Sequence, residues 1–190
     1  MRHRNLHIES LPLNINIPSS SNSKATYIIR WNSSLSRIFP MSLFESRMKI
    51  FDFGLNILSM RIMNWQNVHR EDIVYLFHEG ENATGIVLRG IVMNEPHTYQ
   101  DWCTEDSPSR LVDLHVSQMM HPEKAILPDI SHLEEYWKNE EFKGHRYPIL
   151  IDKEAAAELE ELFNSYLLSN KEQFAVNKNN GVAITYYGIE

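Results

Sequence analysis

Four apolar segments of strand length constrain the fold of this chain more than any other feature. They read ATYIIRWN (25–32), DIVYLFHEGEN (72–82), TGIVLRGIVM (84–93) and RLVDLHVSQMM (110–120). Each combines β-branched and aromatic residues, which fit a pleated and largely buried surface. Gly90, in the middle of the third segment, predicts a bulge or a tight bend there. Strands that follow one another so closely favour a small, strongly curved sheet or barrel.

Two further segments predict helices that would pack on this sheet. MSLFESRMK (41–49) follows a proline and places its apolar side chains near one helix face. DKEAAAELEELFNSYLL (152–168) is the strongest helical pattern, with Asp152 in the position of an N-cap. Its apolar side chains recur at helical spacing, at Leu159, Leu162, Phe163 and Tyr166. The predicted fold class is therefore α+β, with helices packed on a curved sheet.

Two segments are less regular. HLEEYWKNEEF (132–142) predicts a short helix. FDFGLNILSMRIMNWQNVHRED (51–72) alternates apolar and polar residues only imperfectly, so it receives no assignment.

The length of 190 residues fits one domain with flanking segments. The stretch PSSSNSK (18–24) is rich in serine and has no periodicity, so residues 1–24 are interpreted as a flexible leader. Residues 25–168 hold the predicted domain. Residues 169–190 form a tail in which VAITYYG predicts an added edge strand.

Several classes of protein are disfavoured by what the sequence lacks. No run approaches the roughly 20 apolar residues of a membrane span, and the N-terminus has no continuous apolar core of a secretory signal. The single cysteine, Cys103, cannot form an internal disulfide, and nine scattered histidines give no zinc-ligand spacing. Glycine patterns for phosphate binding and a GxSxG nucleophile are missing. We therefore expect a cytoplasmic protein without a metal or other cofactor and without a membrane partner.

Charge is unevenly distributed along the chain. Residues 1–70 contain nine Lys/Arg and three Asp/Glu, a net charge of +6, whereas residues 71–190 contain nine and twenty-two, a net charge of −13. A basic region on an acidic body can still attract nucleic acid, because screening makes nearby charge matter more than the total. A solvated acidic helix pair near the C-terminus explains the excess of negative charge equally well.

Two tryptophans next to polar residues suggest how a base would be bound. Trp31 ends the first predicted strand beside Asn32, and Trp102 follows the third beside Asp101. Indole rings stack on any base, while an amide or a carboxylate bonds the base edge. Trp65, which precedes the next strand of the pattern, is interpreted as a core residue instead.

A second candidate contact lies before the last predicted helix. In FKGHRYP (142–148), Gly144 permits a tight loop that presents His145 and Arg146. Two basic side chains on such a loop are suited to bind phosphate, although a surface loop with two chance basic residues reads the same.

Three stretches of the sequence resemble a bacterial PUA-like family close to the EVE domains. They are NATGIVLRGIVMNEPHTYQDW, SRLVDLHVSQMMHPEKAIL and DKEAAAELEELFNSYL, and the IIRWN strand also matches an RWN that opens such domains. The similarity covers roughly residues 25–168. It implies a PUA-like pseudo-barrel, related to YTH modules and to the reader domains of EVE–HNH restriction endonucleases. Such relatives bind nucleic acid and hold one flipped, often methylated base in an aromatic cage.

The resemblance extends the candidate site by two residues. Met60 stands where the family has a cage tryptophan, and Arg110 matches the basic end of the run that follows Asp-Trp. The expected base-binding pocket comprises Trp31, Asn32, Met60, Asp101 and Trp102. The expected phosphate contacts are Arg110, His145 and Arg146. Because no HNH signature is present, the expected function is a non-catalytic nucleic-acid-binding module, for DNA or RNA, that reads a modified or flipped base.

Two alternatives remain open. On the same fold, Asp113 with His115 or His145 would act as an acid/base pair of an enzyme for a nucleotide or a small amide, since Asp113 and His115 share one strand face. Alternatively, the acidic C-terminal half would serve a protein-interaction module of a defence or mobile-element system.

Overall fold

The computed structural model of this protein describes residues 24–36, 39–52, 55–80, 84–98, 109–122, 131–136, 147–170, 175–177 and 184–186. Within these ranges the chain forms eight strands, two α-helices and two short 3-10 helices. The strands are β1 (Thr26–Trp31), β2 (Ile57–Met63), β3 (Ile73–Glu79), β4 (Thr84–Val92), β5 (Ser109–Met119), β6 (Pro148–Ile151), β7 (Ala175–Asn177) and β8 (Ile184–Tyr186). The helices are α1 (Met41–Asp52) and α2 (Lys153–Ser169), and the 3-10 helices are Trp65–Asn67 and Ser131–Tyr136.

The four strands and both helices predicted from hydrophobic pattern are confirmed as β1, β3, β4, β5, α1 and α2. The fold class is α+β, as expected. The short helix predicted over 132–142 begins as the 3-10 helix Ser131–Tyr136, and the remainder of that segment lies outside the described residues. So does the leader up to residue 23.

All eight strands belong to one mixed sheet, in the order β6-β1-β3-β4-β5-β8-β7, with β2 also paired to β5. Strands β1 and β3 are parallel, whereas β3, β4 and β5 are antiparallel in succession. The long strand β5 pairs with β2 through residues 109–115 and with β8 at its other end. The first half of β5 therefore begins at the same end of the sheet where β2 finishes.

Two register shifts bend this sheet. One skips Val87 in the pairing of β3 with β4, and the other skips Ser117 in the pairing of β4 with β5, beside Gly90. Extra residues of this kind kink a strand and increase its twist. The bulge or bend predicted at Gly90 is confirmed, and the sheet curls as the sequence suggested.

The two α-helices cover opposite faces of the central strands. The rings of Trp31 and Phe44 stack at 4.8 Å on the α1 side, and those of Tyr75 and Phe163 meet edge-on at 5.6 Å on the α2 side. Successive residues of a strand point to opposite faces, so β1 and β3 are buried along nearly their whole length. This double cover explains why both strands are continuously apolar in sequence.

Strand β2 occupies the segment that received no assignment. Leu58, Met60 and Ile62 are buried, and the residues between them point outward. The alternation is hidden in sequence because the outward position at Ile57 is also apolar, although its side chain is 50% exposed.

Helix α2 starts at the predicted cap. The Asp152 carboxylate accepts a hydrogen bond from the Ala155 backbone N–H at 2.9 Å. Leu159 and Phe163 are buried, but Leu162 is 37% exposed, since one helix face alone reaches the sheet. None of the helices in the described part of the chain is long and apolar enough to cross a membrane.

Candidate nucleic-acid interface

Trp31 lies in the core and does not present a ring face to solvent. Its side chain is 0% exposed, and its indole N–H donates to the Phe39 carbonyl at 2.8 Å. Phe39, Phe44 and His78 surround the ring. The expectation of a stacking surface at Trp31 is thus not met in this structure, because the last residue of β1 points toward α1 rather than toward solvent.

Asn32 serves the turn that follows β1. Its side-chain oxygen accepts hydrogen bonds from the backbone N–H groups of Ser34 at 3.0 Å and Leu35 at 3.2 Å. This is an Asx-turn, a common reason for asparagine directly after a strand. The contacts of Asn32 therefore explain its position without a base.

Met60 is also a core residue. Its side chain is 1% exposed, on the inner face of β2 opposite Val112 of β5. Met60 and Trp31 belong to the same hydrophobic core. At this position a larger ring would need room in a closely packed interior.

Four of the predicted site residues lie outside the described residues: Asp101, Trp102, His145 and Arg146. The described residues nearest to them in sequence are Thr98, Ser109 and Tyr147.

A pair of backbone hydrogen bonds joins the two ends of the segment that contains Asp101 and Trp102. His97 and Leu111 form an antiparallel bridge, with each backbone N–H donating to the other carbonyl at 2.9 Å. The bridge therefore joins the described residues on the two sides of Asp101 and Trp102. We refer to residues 98–110 as the 98–110 segment.

Arg110, the last residue of this segment and the second of β5, lies against Trp65. Its guanidinium carbon is 4.8 Å from the centroid of the Trp65 ring, within the range of an attractive cation–π contact. Its Nη1 donates to the Ser109 carbonyl at 3.1 Å. Trp65, interpreted from sequence as a core residue, does pack partly against the core, but it also carries Arg110.

A second arginine lies at the same end of the sheet. Arg61 of β2 pairs in register with Leu111, and its Nε donates to the buried Ser109 hydroxyl at 2.5 Å. Leu111 thus stands between Arg61 on one side and His97 on the other. Arg61 and His97 therefore flank Leu111 on one face of the sheet, whereas Arg110, the neighbouring residue of β5, belongs to the other face.

Asp113 contacts residues 94–97, which directly precede this segment. Its carboxylate accepts hydrogen bonds from the Ser59 hydroxyl at 2.5 Å and from the Asn94 amide at 2.9 Å. The Nε2 of His97 lies 3.7 Å from the same carboxylate. These contacts tie β2, β5 and residues 94–97 together.

Glu95 fixes the same chain to the turn before β3. It accepts a hydrogen bond from the Arg70 backbone N–H at 3.0 Å, and Nδ1 of His69 lies 3.1 Å from its other oxygen. The hydrogen bond from Arg70, and then the one from His69, lowers the pKa of the Glu95 carboxyl below its usual value. Residues 94–97 are therefore anchored on two sides before the 98–110 segment begins.

The acid/base alternative has mixed support. Asp113 and His115 share the outward face of β5, since Val112, Leu114 and Val116 between and beside them are buried. Their hydrogen bonds, however, lead away from each other: His115 Nε2 pairs with the Asn56 amide at 2.6 Å. Whether these groups share a pocket with Trp102 concerns a residue outside the described ranges, and the enzyme hypothesis stays a prediction.

Sequence reasoning missed Arg61 and His97 as neighbours of the site. Arg61 follows from the β2 register, which requires the pairing of residues 57–63 with 109–115 to be known. His97 follows from a single bridge outside any long strand. The local sequence pattern signals neither pairing, because each joins residues that are distant in the chain.

Matches among solved structures include two proteins of low sequence identity. A hypothetical protein from Leishmania major has a TM-score of 0.48 and 8% sequence identity, covering 75% of this chain and 96% of its own. Human THYN1, solved in complex with DNA containing 5-methylcytosine, has a TM-score of 0.44 and 14% identity, covering 73% of this chain and 97% of its own. No family model and no curated protein matches the sequence.

Proposed function

We propose that this protein is a non-catalytic module that binds nucleic acid and reads a modified or flipped base. The base would stack on Trp102, and Asp101 would bond its edge. Arg110 would contact the phosphate backbone, together with His145 and Arg146. DNA and RNA are both suitable partners for this chemistry, because every base offers a ring face for stacking.

One observation carries the proposal. The Arg110 guanidinium carbon lies 4.8 Å from the centroid of the Trp65 ring, and Arg110 is the last residue of the segment that contains the Asp-Trp pair. Trp102 is five residues from His97 in sequence, so chain length alone keeps the two Cα atoms within about 18 Å. A phosphate held at Arg110 and a base held at Trp102 are therefore compatible with one ligand.

Because Trp31 and Met60 are buried in the core, we assign the stacking role to Trp102 alone. A base that leaves its stack costs a few kcal/mol, and one indole face returns about 1–3 kcal/mol. When Trp102 alone stacks on the base, hydrogen bonds to the base edge and phosphate contacts must supply the rest. We therefore expect tighter binding to single strands or to bases that are already unpaired than to intact duplex.

Fluorescence anisotropy of labelled oligonucleotides at low salt tests the proposal. The panel would hold methylated and unmodified DNA and RNA, each as a single strand and as a duplex. Saturable binding that weakens with added salt is expected, because phosphate contacts release counterions. Failure of the full chain to bind every member of the panel would overturn the proposed function.

A further inference from the structure

Trp65 makes contacts in two directions. Part of its ring packs against the hydrophobic core, and the guanidinium of Arg110 lies over the ring at 4.8 Å. A tryptophan that only fills space needs the first of these contacts. The second places a delocalised cation on a flat aromatic surface, where it keeps its charge and loses rotational freedom.

The backbone before Trp65 is shaped to bring the ring to this place. Met63, the last residue of β2, pairs with Ser109, the first of β5. Asn64 then adopts a left-handed conformation, with φ of 49°, and the 3-10 helix Trp65–Asn67 follows at once. Asparagine tolerates this conformation better than most residues. The turn thereby keeps Trp65 beside the start of β5 and hence beside Arg110.

We propose that Trp65 is a positioning residue for nucleic-acid binding, which holds the Arg110 guanidinium in the orientation that contacts a ligand phosphate. This inference rests on the proposed function. An arginine side chain has many rotamers, and ordering them on binding costs affinity. The Trp65 ring and the Ser109 carbonyl restrict Arg110 before the ligand arrives.

The test compares affinity and its salt dependence across four forms of the full chain: wild type, Arg110→Ala, Trp65→Leu and the double variant. The probe is a labelled single-stranded DNA, titrated between about 50 and 200 mM salt. Arg110→Ala should weaken binding several-fold at low salt and reduce the slope of log K against log[salt] by about 0.7, the value of one phosphate contact on a single strand. Trp65→Leu should reproduce most of both effects.

The double variant separates positioning from general stability. If Trp65 acts through Arg110, the double variant binds about as weakly as Arg110→Ala alone, because the two changes remove the same contact. Trp65→Phe retains a ring and should recover most of the affinity. Additive losses in the double variant, or an unchanged salt slope in Trp65→Leu, would overturn the inference.

If Trp65→Leu does not fold, Arg110→Lys tests whether the Trp65 ring positions the side chain at residue 110. Lysine keeps the charge but not the planar surface that stacks on an indole, so the inference predicts weaker binding for Arg110→Lys than for wild type. The matched control is Lys49→Ala, an exposed position in the last turn of α1, which should leave the salt slope unchanged. Equal affinity of Arg110→Lys and wild type would contradict positioning by the ring.

Failure of this inference differs from failure of the proposed function. A wild-type chain that binds no probe overturns the function. A wild-type chain that binds, with Trp65 and Arg110 contributing independently, overturns only the role given to Trp65.

Discussion

A methyl group placed on Gly90 would lie 3.1 Å from Cβ of Leu114 on the neighbouring strand. Leu114 is fully buried in the core, so it has little room to move away. The close approach occurs beside the register shift between β4 and β5. Gly90 therefore allows two strands to come together where the sheet bends.

Gly90→Ala should lower the free energy of unfolding by about 1–2 kcal/mol, the usual cost of an added methyl group in a packed interior. Urea denaturation measures the change. Thr84→Ala, at an exposed position of the same strand, is the control and should stay within about 0.5 kcal/mol of wild type. Equal stability of Gly90→Ala and wild type would show that β4 and β5 can move apart at Gly90 without cost, contrary to this prediction.

Trp31→Phe should lower the free energy of unfolding by about 2–4 kcal/mol. The change removes buried ring volume and leaves the Phe39 carbonyl without the indole N–H that it accepts, and both effects destabilise a core. Thermal or urea denaturation gives the value. If Trp31→Phe were as stable as wild type but no longer bound nucleic acid, Trp31 would have to contact the base rather than only fill the core.

These residues show which part of the site could be predicted from sequence. A tryptophan beside an asparagine at a strand end fits a base pocket, but the same pair fits a core ring followed by an Asx-turn. Which reading holds depends on the face to which the last residue of β1 points, and helix α1 decides that through Phe44. Local pattern contains no information about such a partner.

Helix α2 is attached to the sheet by a polar network as well as by its apolar face. Glu160 accepts hydrogen bonds from the Tyr75 hydroxyl and from Nε of Arg89, the latter at 2.9 Å. Nη1 of Arg89 also donates to the Ser117 hydroxyl at 3.0 Å. Burial alone would raise the pKa of Glu160, but the hydrogen bonds from Arg89 and Tyr75 outweigh it and hold the pKa below its usual value.

The network predicts a loss of stability in acid. A carboxyl whose pKa is lower in the folded state stabilises the fold above its unfolded pKa, and this contribution disappears as the pH falls through the folded pKa. Glu160→Gln should remove that part of the acid sensitivity and cost about 0.5–1.5 kcal/mol at neutral pH, because solvent screens a side chain that is 36% exposed. Urea denaturation at neutral and acidic pH tests this, with exposed Glu154→Gln as the control. An identical pH profile for Glu160→Gln and wild type would contradict the network.

For single strands and helices, the hydrophobic pattern was sufficient to predict the element wherever that pattern is unbroken along the segment. Strands β1, β3, β4 and β5 and both helices coincide with their predicted segments. Strand β2 was missed because its outward Ile57 and Met63 are apolar and blur the alternation. The pairing of β2 with β5 and of β1 with β3 joins segments far apart in sequence, and such partners are not encoded locally.

The whole molecule has a net charge of −7. Near the start of β5, Arg61 and Arg110 lie in the same region as the carboxylates of Glu95 and Asp113, which keep their negative charge while accepting hydrogen bonds from the surrounding chain. If Arg110 contacts a phosphate as proposed, binding should weaken as salt is added. The net negative charge of the rest of the molecule disfavours non-specific association with nucleic acid.

Comparison of wild type with Trp102→Ala tests the central claim most directly. Both proteins would be titrated into the tightest-binding oligonucleotide of the panel, with Trp102→Phe as the conservative control. Loss of a stacking ring should weaken binding about 5- to 150-fold, as expected from 1–3 kcal/mol per stacked base, and Trp102→Phe should retain most of the affinity. Equal affinity of Trp102→Ala and wild type would show that the 98–110 segment does not read a base.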